Sequence, residues 1–236
     1  PAVLGRVNRA GWVREKTAGK VESMRVGLLG GTFNPIHNGH LHIAREVQKS
    51  CALDEVWFIP TWRPPHKEVA AEVSFAHRLA MVNAAVADIP AFKACDIEGR
   101  RGGTSFSVDT LEQLRRTCPQ HEFYFIMGLD SFREISLWRD YPRLFELAHI
   151  VVTARPGFSG DVRELLPVAI ADRFCYDSAS KNLQYDKGFS VIVVDHTCHA
   201  ASSTRIRQRV ANHRSIEGSV PPAVASYIDH HQLYQG

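Results

Sequence analysis

The sequence predicts a doubly wound α/β domain: a Rossmann-like parallel sheet with helices on both faces, followed by a small C-terminal helical portion. Three observations predict it. Short runs rich in β-branched and aromatic residues alternate with stretches of helical periodicity. These runs are apolar almost throughout, as strands are when both faces of a sheet are covered. The first run passes straight into Gly30-Gly31-Thr32, a glycine turn at the strand end where open α/β sheets bind their ligands.

The predicted strands are 25–29, 56–60, 92–97, 123–127, 150–153 and 191–195, and the helices between them are 39–50, 74–87, 107–116, 141–148 and 161–173. In 74–87, Phe75, Leu79, Val82 and Val86 keep the spacing of about 3.6 residues that makes one apolar helix face. Pro64-Pro65 and residues 99–103 mark loops beyond strand ends. Ser203 reads as the N-cap of a helix over 204–212. Pro221-Pro222 then opens a last helix, since proline is tolerated in a first turn. Residues 1–23 are basic, carry no apolar run and do not read as a secretory signal. They are expected to be an extension, compatible with disorder, ahead of one domain over 24–236.

Composition narrows the function classes. A net charge of +3, with arginines spread along the chain, suits phosphorylated small molecules and not sequence-specific nucleic-acid binding. The longest apolar stretches, such as 148–154, are too short to span a bilayer. Cys51, Cys95, Cys118, Cys175 and Cys198 are odd in number and lack a C-x-x-C pair, which points to reduced thiols in a cytoplasm.

The chemistry concentrates in residues 30–40. Gly30 and Gly31 let backbone N–H groups approach a phosphate with no Cβ in the way. The helix starting near Gly39 points free N–H groups and its positive dipole end into the same space. His37 and His40, three residues apart, share one side of that helix start and can donate hydrogen bonds to phosphate oxygens. The pair could instead hold a metal, but no third ligand stands at suggestive spacing.

The whole run, Gly30-Gly31-Thr32-Phe33-Asn34-Pro35-Ile36-His37-Asn38-Gly39-His40, resembles the G-G-[TS]-F-[DN]-P-x-H-x-G-H signature of the H-x-G-H nucleotidyltransferase superfamily. That resemblance implies that Gly30, Gly31, Thr32, Phe33, Gly39 and the two histidines surround ATP phosphates, with His37 and His40 catalytic. Later segments are similar to the bacterial nicotinate-mononucleotide adenylyltransferases over about Met24 to Tyr234: the strand leading to Pro64-Pro65-His66-Lys67, then Ser105-Phe106-Ser107-Val108-Asp109-Thr110-Leu111, Gly128-Leu129-Asp130 with Trp138 beyond it, Arg155-Pro156-Gly157, and Ser202-Ser203-Thr204-Arg205-Ile206-Arg207.

By this resemblance Gly128, Asp130, Ser202, Ser203, Thr204 and Arg207 complete an ATP site. His66, Lys67, Ser105, Phe106, Ser107, Trp138 and Arg155 line a nicotinate mononucleotide site. The physical readings beside it are plainer: Ser203 as a cap, Asp130 as a helix N-cap, Trp138 as core and Lys67 as a solvated loop charge. His196 and His199 belong to no motif. The implied reaction is adenylyl transfer from ATP, with Mg²⁺, to nicotinate mononucleotide in NAD biosynthesis; a homo-oligomer is compatible with it. Nicotinamide mononucleotide or another phosphorylated acceptor, or a non-catalytic nucleotide sensor, are the alternatives. Two positions depart from the pattern: Asn34 replaces a frequent Asp, and Phe106-Ser107 replace Tyr-Thr.

Overall fold

The computed structural model describes residues 22–65, 73–154, 162–180, 182–195 and 201–235. Strand and helix alternate through β1 (Arg25–Gly31), α1 (Asn38–Ser50), β2 (Glu55–Pro60), α2 (Phe75–Val86), β3 (Phe92–Ala94), α3 (Ile97–Arg101), α4 (Ser107–Thr117) and β4 (Glu122–Gly128). The chain continues as α5 (Leu129–Arg133), α6 (Tyr141–Leu144), β5 (His149–Thr153), α7 (Val168–Ala171), β6 (Phe174–Asp177), β7 (Asn182–Tyr185), β8 (Ser190–Val194), α8 (Ser203–Ala211) and α9 (Pro222–His230). None of the described helices is long and apolar enough to cross a membrane.

The strands form one sheet in the order β3-β2-β1-β4-β5-β8-β7-β6. From β3 to β8 every pairing is parallel. The order reverses direction between β1 and β4, so the crevice beyond their carboxyl ends is the switch point of the sheet. Successive strand residues face opposite sides, which explains the unbroken apolar runs. Leu28, Phe123, Phe125 and Ile150 pack with Leu111, Leu114 and Leu144 on one face. Leu29, Tyr124, Ile126 and Val151 pack with Leu41, Val47, Met81 and Ile228 on the other. Each such side chain, fully buried, stabilises the fold by about 1.5–3 kcal/mol before entropic costs.

The doubly wound architecture is as expected, and several elements differ from those expected, among them the short helix α5 after β4. The edge carries an antiparallel pair, β6–β7, beside β8. Only Leu183 and Tyr185 of that pair are buried, too few to make an apolar run. The third strand stops at Ala94, and residue 97 already begins α3, so residues 99–101 of the loop expected over 99–103 are helical and only Gly102 and Gly103 leave the helix. The helix expected over 141–148 ends as α at Leu144. Bonds from Glu146 N–H to the Arg143 carbonyl and from Leu147 N–H to the Leu144 carbonyl tighten the next turn of chain. The helix expected over 161–173 is broken into a 3₁₀ turn, Val162–Leu165, and α7. Pro167 stands between them; it lacks an N–H and would clash with the preceding turn of a continuous helix.

Candidate active site

β1 delivers Gly30 and Gly31 to the crevice, and α1 begins seven residues after the strand ends. Phe33, between them, adopts φ +48° with its ring buried. Such a backbone is costly for a bulky residue and persists where its surroundings over-determine it. Here the Phe33 ring stands edge-on to His40 at 5.0 Å and tilted against Phe58 at 6.0 Å. A Cβ on Gly31 would lie 3.1 Å from the same ring, so glycine is what lets the turn close over Phe33. Gly30 is different. A Cβ there would meet no protein atom within 4 Å, and the same holds for Gly128 at the end of β4. Both glycines border open space at the switch point.

His37 caps α1, and its backbone N–H donates to Nδ1 of His40 at 3.2 Å. The two rings stack with centroids 3.7 Å apart. Burial, with a smaller contribution from His37, pushes the His40 pKa down to about 3. An imidazole that is neutral and accepts at Nδ1 carries its proton on Nε2. His40 is therefore a hydrogen-bond donor at Nε2 throughout the neutral range.

A cavity of about 440 Å³ opens from this turn. It is lined by Gly30, Gly31 and Thr32 of the turn, by His40 of α1, by Phe125–Gly128 of β4, and by Ser105, Phe106, Ser107 and Trp138. The Trp138 ring meets Phe125 edge-on at 6.3 Å. Arg139, adjacent in sequence, also lines the cavity, and its guanidinium lies 4.7 Å from the centre of the Phe106 ring. The missing hydroxyl at Phe106 thus leaves a ring face covered by a cation.

The wall at 105–107 is braced from behind. Ser105 Oγ accepts from the Trp62 and Arg63 N–H groups at 3.0 and 3.3 Å. Buried Glu98 accepts from Trp62 N–H at 3.3 Å and from the Thr110 hydroxyl at 2.8 Å. The Ser105 hydroxyl oxygen is therefore already an acceptor for the loop after β2, a structural task the sequence pattern does not show.

Other expected site residues are placed less directly. Asp130 lies in the first turn of α5 with its side chain 95% exposed, 3.7 Å from Arg133 Nη1. From that helix Ser131, not Asp130, reaches the cavity wall. Ser202, not Ser203, is the N-cap of α8. The Ser203 hydroxyl instead donates to the Pro35 carbonyl at 2.9 Å, and Arg207 Nη1 to the Asn34 carbonyl at 2.8 Å. Thr204 is exposed beside them. These bonds bring the helix against the back of the turn between β1 and α1. Asn34 Oδ1 accepts from the Tyr234 hydroxyl at 2.7 Å in a buried contact. His66, Lys67 and Arg155 lie outside the described residues, as do His196 and His199; Pro64 and Pro65 line the cavity.

Sequence reasoning missed Glu98, Arg139 and Tyr234. Of these only Arg139 carried a local signal, as the neighbour of Trp138. The others act across long sequence separations.

Comparison with known proteins places the chain in a family. Residues 28–209 match the Cytidylyltransferase-like family. The protein of Syntrophotalea carbinolica named "Probable nicotinate-nucleotide adenylyltransferase" is 53% identical over 213 residues, covering 90% of this chain and 98% of that one. A protein of the same name from Citrifermentans bemidjiense is 49% identical over 212 residues, covering 89% and 98%. Among solved structures, the Plasmodium falciparum nicotinic acid mononucleotide adenylyltransferase complexed with NaAD superposes with a TM-score of 0.67. It is 18% identical and covers 89% of this chain and 97% of that one, a likeness of fold. With this extent of identity over nearly the whole length of its relatives, the chain belongs to the nicotinate-nucleotide adenylyltransferases, within the Cytidylyltransferase-like family.

Proposed function

We propose that the protein transfers the adenylyl group of ATP to nicotinate mononucleotide, forming nicotinate adenine dinucleotide and pyrophosphate for NAD biosynthesis. The observation that carries the reading is the continuous cavity joining the Gly30–Thr32 turn and His40 to the wall of Ser105, Phe106, Ser107 and Trp138. One end suits phosphates, the other a flat ring. The 5′-phosphate of the acceptor attacks the α-phosphorus of ATP in line; the P–O bond to the β-phosphate breaks and pyrophosphate leaves. The nucleophile is already an anion near neutral pH, so no general base is required.

The chain's contribution is alignment and charge stabilisation. His40 Nε2–H donates to a phosphate oxygen, with His37 beside it. Gly30, Gly31, Thr32, Phe33 and Gly39 shape the turn around the phosphates, and Gly128 leaves space beside it. In this reading Ser202, Ser203, Thr204 and Arg207 serve the β- and γ-phosphates, Asp130 the ribose, and His66, Lys67 and Arg155 the acceptor side. Ser203 and Arg207 already brace the turn, so their support for the phosphates is at least partly indirect. Mg²⁺ would enter as part of the ATP complex and would screen the repulsion between the two anionic substrates. Among the described residues no cluster of three or more His, Cys, Asp or Glu could hold a metal, and the Asn34 amide oxygen is taken by Tyr234. With that oxygen engaged, a metal is proposed as part of the ATP complex and not as an ion held by Asn34. The free thiols of Cys51, Cys95, Cys118 and Cys175 suit a reducing cytoplasm.

The test is pyrophosphate release from MgATP with nicotinate mononucleotide, nicotinamide mononucleotide or phosphopantetheine as acceptor. Turnover with the first, well above the other two, is expected. A preference for nicotinamide mononucleotide would overturn the acceptor assignment, and no release with any acceptor would reject catalysis.

A further inference from the structure

The largest fully buried side chain among the described residues is a cation. Arg78, in the first turns of α2, is 1% exposed. Its Nη1 donates to the Thr32 carbonyl at 2.7 Å and its Nη2 to the Trp62 carbonyl at 3.4 Å. Nε is buried with no hydrogen-bond partner among the described residues. Neither bond goes to a carboxylate. Burial lowers the guanidinium pKa, and the nearby Tyr234 and Glu98 oppose that shift, yet arginine remains charged in proteins. A core position that needed only volume would be filled better by an apolar side chain.

What the two carbonyls belong to gives the cation a purpose. Thr32 lies in the phosphate turn after β1. Trp62 lies in the loop after β2, and its N–H is bonded to Ser105 Oγ and Glu98, which support the far wall of the cavity. The strands before them are adjacent, with Thr61 N–H donating to the Gly31 carbonyl at 2.9 Å, and one planar fork extends that tie to the turn and the loop where they border the cavity. A guanidinium has the donors and rigidity to hold two carbonyls at a set separation; an ammonium is a point charge that can rotate.

We infer that Arg78 is a positioning residue, which sets the spacing between the phosphate turn and the acceptor wall by holding the Thr32 and Trp62 carbonyls together. The inference rests on the adenylyl-transfer reading. Transfer in that reaction requires the acceptor phosphate and the α-phosphorus at near-attack distance. A shift of about 1 Å from a distant change can cost 10²-fold in rate. The tie therefore acts on alignment of two bound substrates more than on the binding of either.

Steady-state kinetics of Arg78→Lys and Arg78→Met, each compared with wild type under MgATP and nicotinate mononucleotide, test this. Lysine keeps the charge but holds one carbonyl firmly; methionine keeps volume and holds neither. Expected are losses in kcat of roughly tenfold for Arg78→Lys and roughly 10²-fold for Arg78→Met, with both KM values within about a factor of three. Circular dichroism and thermal melting establish that each variant is folded at the assay temperature. Lowered melting temperature with kcat unchanged would make Arg78 a purely structural residue and overturn the inference. A rise in one KM at constant kcat would make it a determinant of that substrate alone, and also overturn it. Loss of the folded state in both variants would assign it to folding and reject positioning. Failure of wild type itself to release pyrophosphate would instead strike the adenylyl-transfer reading.

Discussion

His40 illustrates how a single side chain is prepared by its neighbours. Burial and the stacked His37 ring depress its pKa to about 3, and the His37 N–H fixes Nδ1 as the acceptor. In the unfolded chain the same imidazole titrates near 6.5. Between those values the unfolded state binds a proton that the native state does not. The contribution to stability is complete above 6.5 and falls as the pH drops towards 3, by up to about 1.4 kcal/mol per pH unit. Nitrogen-15 NMR of the imidazole should show the Nε2–H neutral tautomer unchanged from pH 8 to pH 5. A titration near 6.5 would contradict the assigned environment. The same donor role predicts that His40→Ala lowers kcat by about 10²–10³ in the pyrophosphate assay, and undiminished turnover would remove His40 from the chemistry.

At the scale of elements, two glycines separate what packing demands from what the crevice demands. Gly99 lies in α3 against α2, and a Cβ there would sit 2.2 Å from the Phe75 ring. Phe75 in turn packs on Trp62 at 5.0 Å. Gly99→Ala should therefore destabilise the fold by about 1–3 kcal/mol, the range for forced overpacking. Gly30, with nothing within 4 Å of its Cβ position, carries no such constraint. Gly30→Ala should leave stability within about 0.5 kcal/mol of wild type while weakening ATP binding. Urea melts and ATP titrations of both variants check the pair; a strongly destabilised Gly30→Ala would mean that the open space is not what selects glycine. These elements also mark how far sequence reading reaches. Buried strands and the helix start near Gly39 announce themselves in consecutive residues, because apolar runs and the glycine turn are local signals. The β6–β7 pair does not, since its pairing is set by β8 and only Leu183 and Tyr185 turn inward. The break at Pro167 is readable in principle, and the apolar spacing across 161–173 conceals it. Asp130 shows a third limit: its place after β4 is evident from sequence, but the direction of its side chain, away from the cavity and into solvent, is decided by the packing of α5.

At the scale of the whole molecule, the end of the chain closes on its beginning. The Tyr234 hydroxyl reaches Asn34 Oδ1 across 200 residues, while Arg207 and Ser203 hold the Asn34 and Pro35 carbonyls. With Arg78 on the Thr32 carbonyl, three successive parts of the turn have their acceptors engaged from behind. These three carbonyls are thus engaged by the fold, which leaves a ligand on the open side to be met by donors. Burial pushes the Tyr234 phenol pKa up, so it remains a donor at any pH the fold tolerates. Tyr234→Phe removes that donor and leaves the Asn34 amide oxygen buried and unmet, at a cost of about 1–3 kcal/mol. Asn34→Ala removes the acceptor, and the double variant removes both. If the contact is the link between the chain end and the turn, the cycle should give a coupling of about 1 kcal/mol in urea unfolding. Tyr234→Phe should then also raise the KM for ATP, because the turn it steadies is the one proposed to face the phosphates. Additive stabilities together with an unchanged KM would show that the C-terminal segment packs beside the turn without holding it.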